Sequence, residues 1–238
     1  MKRPEIRHRR PRRFPNAVAL SIAICPSTPL LVPELGGEAA QETAELREAA
    51  IIAVRSLPTQ WIAIGAGDGR YGSEVSGTFA GYGVDVCVSL SSTVSGPTQL
   101  PLPVLIAGWL RAQVPAAAVE ARLVSGTDGA AIGRALRDEI RAMPTPPGVL
   151  VIADGANTLT DKAPGGYRPE SGAAQQDLVD ALTQGDAAAL QRVSDVITGG
   201  SVYQVLGGLA GSDRVQAQCL YQGSPYGVGY FAGTWQVS

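Results

Sequence analysis

The feature that most constrains this chain is the alternation of short, nearly unbroken apolar runs with stretches of helical spacing. The runs are AVALSIAI at 17–24, QWIAIGAG at 60–67, VDVCVSL at 84–90, EARLVSG at 120–126 and GVLVIADG at 148–155. Such runs, bounded by Gly or Pro, suit strands buried on both faces. The stretches between them read as helices over 38–57, closed by Pro58, over 102–114 and over 128–143. This order predicts an α/β fold: a single domain with a central mixed, mainly parallel sheet flanked by helices.

After a Pro-, Gly- and Asn-containing loop at 153–169, two more helices are expected. One runs from Ser171 to Gln184; the other runs from Asp186, as N-cap, to about Leu209, with Gly199-Gly200 as its weak point. The tail VQAQCLYQGSPYGVGYFAGTWQV predicts two antiparallel strands around a turn at Gly223 to Pro225.

Charge divides the chain into a basic arm, residues 1–15, and a domain, 16–238. Residues 1–13 hold seven Lys or Arg and one acid, whereas the rest of the chain has 12 basic and 20 acidic residues. An acidic body argues against a specific nucleic-acid surface, and the arm reads as a disordered tail. The apolar run behind the arm is too short for a secretory signal and lacks a small-residue cleavage pattern. No stretch approaches a membrane span. The cysteines Cys25, Cys87 and Cys219 are widely spaced and form no CxxC pair, which fits a cytoplasmic protein without a disulfide framework.

The single histidine, His8, lies in the arm, so residues 16–238 contain no imidazole. That excludes Ser-His-Asp and Cys-His catalytic units, His-ligated zinc, and the two-His-one-carboxylate iron site. Sites in α/β proteins sit at the carboxyl ends of parallel strands, which directs attention to CPSTP, GAGDGRYG, SGTDG and ADGANTLT. GAGDG is not followed promptly by a helix, so it reads as a loop and not as a dinucleotide site. SGTDG lacks a Walker lysine and reads as a capped helix start.

Cys25 and Ser27 end the first strand where a nucleophile could stand, but with no histidine to activate them they read as turn residues. Asp154, at the end of GVLVIADG, could bind Mg²⁺, act as a general base, or cap its loop. Asn157, Thr158, Thr160 and Tyr167 add hydrogen-bonding groups. Trp61, Trp109 and Trp235 are expected in the core or an interface.

Three segments taken together resemble the class III extradiol ring-cleavage dioxygenases of the LigB type. CPSTPLLVPELGG is similar to the family's opening PHPPLLVPEVG, ADGANTLTDKAPGGYRP to its DLSHRLTPDAPAGYDP, and SPYGVGYFAGTW to its terminal APFGVGYLVA. The resemblance spans about residues 17–236 in the right order and implies a central mixed sheet flanked by helices. It also locates what is missing. The family's first iron-ligand histidine falls at Ser27, its second at Gly67 or Asp68, and its DLSH histidine at Asn157. Its glutamate ligand has no counterpart, the last glutamate here being Glu170.

Asp154, Tyr167 and Glu34 are expected to preserve the cleft's shape without its chemistry. The expectation is therefore a protein without the family's Fe(II), catalytically degenerate, that binds a small polar or aromatic ligand or acts as a scaffold, and that forms a homo-oligomer. Its cleft is expected to comprise Cys25, Ser27, Thr28, Glu34, Asp68, Asp154, Asn157 and Tyr167. One alternative is a hydrolase or lyase with Mg or Mn bound by Asp154 together with Asp68 or Glu34. Another is a pure interaction protein with an apolar patch around Tyr226, Tyr230, Phe231 and Trp235.

Overall fold

The computed structural model describes residues 19–37, 39–93 and 96–238. The basic arm, His8 and the start of the first apolar run lie outside the described residues. The chain forms an α/β architecture around one seven-stranded, mostly parallel mixed sheet. Its strands are β1 (Leu20–Cys25), β2 (Gln60–Ala66), β3 (Gly69–Tyr71), β6 (Ala118–Val124), β7 (Gly148–Ile152), β8 (Val215–Gly223) and β9 (Tyr230–Val237). A separate ribbon is made by β4 (Ser76–Thr78) and β5 (Cys87–Ser89).

The sheet order is β3-β6-β2-β7-β1-β9-β8. β6, β2, β7 and β1 run parallel, while β3, β9 and β8 pair antiparallel with their neighbours. Alternate residues of the central strands face opposite layers, as a pleat of period two requires. Ile22, Ile24, Ile62, Ile64, Val149 and Val151 face one core. That core is completed by α5 (Gly129–Ala142), α6 (Ser171–Gln184), α7 (Ala187–Leu190) and α8 (Gly200–Ala210).

Ala23, Cys25, Trp61, Ala63, Leu150 and Ile152 face the second core. It lies under α3 (Ala44–Arg55) and α4 (Leu102–Ala112), and the short α1 (Pro33–Gly36) and α2 (Ala39–Glu42) precede α3. Among the described residues no helix is long and apolar enough to cross a membrane.

Helix α5 buries Gly129, Gly133, Leu136 and Ile140, one stripe at helical spacing. The glycines set how near α8 lies, because a Cβ at Gly133 would stand 2.1 Å from the Val205 carbonyl oxygen. At the other end of the stripe, Arg122 of β6 forms a two-pronged pair with Glu139 at 2.7 Å, tying α5 to the sheet. A third bond, to Glu120 at 2.8 Å, occupies its Nε.

The structure corrects the sequence reading in three places. The expected strand 84–90 contributes only β5, in the outer ribbon and not in the central sheet. Its apolar alternation satisfies any sheet, and the Gly-containing segment before it folds back as β4, with Thr78 Oγ1 donating to Asp85 at 2.7 Å.

The expected helix 38–57 is divided at Thr43, which is buried and gives its hydroxyl to the Leu30 carbonyl at 3.2 Å. The helix expected from Asp186 to Leu209 ends after α7 and resumes at Gly200. Asp186 does cap it, accepting from the Ala188 and Ala189 N–H groups. The helix 171–184, the antiparallel β8–β9 hairpin and the burial of all three tryptophans agree with expectation.

Candidate functional site

β1 and β7 lie side by side at the centre of the sheet, and their carboxyl ends bring two of the expected loops together. Pairing continues past the strands, the Ala153 N–H donating to the Cys25 carbonyl at 3.0 Å. The next residue, Asp154, turns its carboxylate to the CPSTP segment and accepts the Ser27 N–H on Oδ1 at 2.7 Å. Among the described residues no hydrogen bond reaches Oδ2. Asp154 is only partly exposed, and burial pushes its carboxyl up to about 7 against the opposing pull of the Ser27 N–H.

The surroundings of this carboxyl are stiff. The Gly155 N–H donates to Gly229, the Gly229 N–H to Ala156, and the Gly199 N–H to the Asp154 carbonyl, at 2.8, 2.8 and 2.9 Å. Gln175 of α6 accepts the Ala156 N–H at 2.9 Å. Tyr203 of α8 is fully buried and donates to the Ala153 carbonyl at 3.0 Å. Burial first, and then the nearby Asp154 charge, raises its phenol.

Opposite, Tyr230 of β9 donates to Thr28 Oγ1 at 3.3 Å, and both residues are 4% exposed. Burial pushes the Tyr230 phenol up to about 12. The same Thr28 oxygen accepts the Leu30 N–H and so caps the turn that carries CPSTP back over the sheet.

Of the expected cleft residues, the structure brings Ser27, Thr28 and Asp154 together. Asn157 follows on the same loop, its carbonyl accepting the Gly165 N–H at 3.0 Å, and Thr158 shares a 2.6 Å hydroxyl bond with Ser171. The others stand elsewhere. Cys25 is fully buried and points its thiol to the Ala50 carbonyl of α3, with burial raising its thiol further. Glu34 is exposed on α1, and Tyr167 is exposed at the tip of its loop. Asp68 accepts a 2.6 Å bond from Ser125, joining the ends of β2 and β6.

Among the described residues no three His, Cys, Asp or Glu side chains are grouped so as to hold a metal ion. GAGDG is a tight turn from β2 to β3, with Gly67 and Gly69 at φ 127° and 113°, and it leads into a strand and not into a helix. Asp128 stands at the α5 N-cap but makes no side-chain cap bond. The apolar patch envisaged around the C-terminal aromatics is not formed: Tyr230, Phe231 and Trp235 are buried and only Tyr226 is exposed.

Tyr226 is the one non-glycine with positive φ among the described residues, at 57°. Its phenol donates to Glu42, linking the Ser224–Gly227 turn to α2. Strained backbone of this kind concentrates at functional sites. Beside it a hollow of about 540 Å³ opens between Thr160–Lys162 and Ser224–Gly227. Sequence reasoning missed Tyr203 and Gln175, because nothing local tells which helix faces return to the end of β7. Chain periodicity marks both only as helical residues.

No protein-family model matches the chain, and no curated protein matches it.

Proposed function

We propose that the chain is a catalytically degenerate relative of the class III extradiol dioxygenases, a cytoplasmic protein that binds a small polar or aromatic ligand at Asp154. One observation carries the reading. At the carboxyl ends of the two central parallel strands, Asp154 has one oxygen fixed by a backbone N–H and the other without a hydrogen-bond partner among the described residues, in surroundings that favour its protonated form up to near neutrality. Such a group donates to a ligand when protonated and accepts from one when ionised. A site at this edge of a parallel sheet is where α/β proteins bind ligands.

The residues present do not fit the family's iron. Where the resemblance places imidazoles stand a serine hydroxyl at Ser27, Gly67 or the Ser125-bonded Asp68, and the Asn157 amide. Hydroxyl and amide groups do not supply the two-imidazole, one-carboxylate field that such iron requires. Asp68 is engaged by Ser125 and Glu34 is exposed on α1, and no observation favours the Mg or Mn enzyme over the recognition reading. Asp154 is thus read as a recognition group, with Thr28 and Tyr230 holding the wall that faces it.

Titration of catechol, phenol and benzamide into the isotope-labelled full chain tests the assignment. At least one probe is expected to shift backbone resonances at Ser27–Thr28, Asp154–Asn157 and Gly227–Tyr230. Near pH 8, where the Asp154 carboxyl is ionised, the response should weaken by roughly tenfold or more in Asp154→Asn, as expected for loss of a charge-assisted contact. Shifts confined to other regions, or an Asp154→Asn variant that responds like the parent, would show that ligands are not read by this carboxyl.

A further inference from the structure

We propose that β8 pairs antiparallel with β8 of a second copy of this chain, joining two seven-stranded sheets into one across a two-fold dimer. The sheet ends at β3 on one side and β8 on the other, and the two edges differ. β3 is three residues long, has Arg70 at its centre and follows a turn with two positive-φ glycines. Short length and charge are the means by which proteins blunt an edge. β8 has nine residues, VQAQCLYQG, with no charged residue and no proline; its single irregularity is a bulge between Cys219 and Tyr221.

Its open hydrogen-bonding groups can be assigned. Arg214 and Ser238 exchange both backbone bonds, at 3.2 and 3.0 Å. In an antiparallel ladder such pairs alternate, so Gln216 and Gln218 turn their N–H and C=O groups to β9, while Val215, Ala217 and Cys219 turn theirs outward. Among the described residues no backbone hydrogen bond meets these outward groups. Helices α3 and α6 both pack against β8, α6 sharing one core with Val215, Ala217 and Cys219 and α3 the other with Leu220 and Tyr221. Val215, Ala217, Cys219 and Tyr221 reach the core but stay partly exposed, apolar surface that a neighbouring strand would cover.

Charge selects the partner and the direction. Arg214, at the start of β8, is exposed and in no ion pair among the described residues. At the other end Glu45 lies near Tyr221, whose phenol is raised by burial and then by that charge. Antiparallel pairing of two copies places each Arg214 at the Tyr221–Glu45 end of the other, whereas parallel pairing sets Arg214 against Arg214. An antiparallel strand pair is also self-complementary about a two-fold axis. The opening 15 residues of the chain are a poorer occupant, because Pro4, Pro11 and Pro15 lack the N–H a strand needs.

Sedimentation equilibrium on the full chain, over roughly a hundredfold range of concentration, gives the test. A dimer is expected, with the Val215, Ala217 and Cys219 amides protected from exchange. Ala217→Pro removes an outward N–H and is expected to shift the chain to monomer. Gln216→Lys/Gln218→Lys, which sets like charges along the edge, is expected to do the same, and carries the test if the proline variant does not fold. A monomeric parent chain overturns the proposal. So does a dimer that survives the double lysine variant, for then the interface lies elsewhere.

Discussion

Replacing Asp154 by Asn is expected to stabilise the chain by about 2–4 kcal/mol near pH 8 and to change it little near pH 4. The direction follows from where the proton resides. In the folded chain burial holds the Asp154 carboxyl at about 7, whereas an unfolded aspartate titrates near ~3.9. Between those values the unfolded chain has released its proton and the folded chain keeps it, so Asp154 makes stability fall as pH rises through this window. Above the folded value the cost is constant.

Asparagine cannot ionise, yet its Oδ1 still accepts the Ser27 N–H, so the variant lacks the pH-dependent loss while retaining the local bond. Urea unfolding of both proteins across this pH range reads the difference, with curves that coincide in acid and diverge towards alkaline pH. Parallel curves would mean that Asp154 is not held protonated. A gain in stability on removing a native carboxylate is the behaviour expected of a residue kept for binding, at some cost to the fold.

The largest purely structural loss is expected at Trp235. Its side chain is fully buried within β9, which lies between β1 and β8, and its indole N–H donates to the Leu182 carbonyl of α6 at 2.8 Å. Trp235→Ala removes the ring from a packed core and is expected to cost about 3–5 kcal/mol. Trp235→Phe retains part of the bulk but strands the Leu182 carbonyl, for a loss of about 1–3 kcal/mol. Denaturant midpoints measure both. An alanine variant within about 1 kcal/mol of the parent would mean that the Trp235 ring is not packed in the core.

What the sequence made legible follows its periodicities. Unbroken apolar runs identified β1, β2, β6 and β7, and helical spacing with Pro or Gly stops identified α4, α5 and α6. Partners were less visible. Residues 84–90 alternate as a strand should, yet only a tertiary contact decides that β5 pairs with β4 and not with the central sheet. Thr43 divides a continuous helical pattern because its hydroxyl is required by Leu30, thirteen residues earlier in the chain.

At the site, Asp154, Ser27 and Thr28 could be found because each stands just beyond an apolar run. Cys25 stands there too, but strand parity directs its thiol into the opposite layer, against α3. Tyr203 and Gln175 reach the site from helices distant in sequence, and no local pattern announces them.

The proposed function, a recognition carboxyl in place of ring-cleavage iron chemistry, requires that the chain hold no iron. Elemental analysis tests it most directly, on full-length protein purified without an affinity tag or chelator under anaerobic conditions. Iron is expected far below one equivalent per chain, unchanged in Asp154→Asn. Iron near one equivalent would contradict it, for groups dismissed as ligands would then be holding the metal.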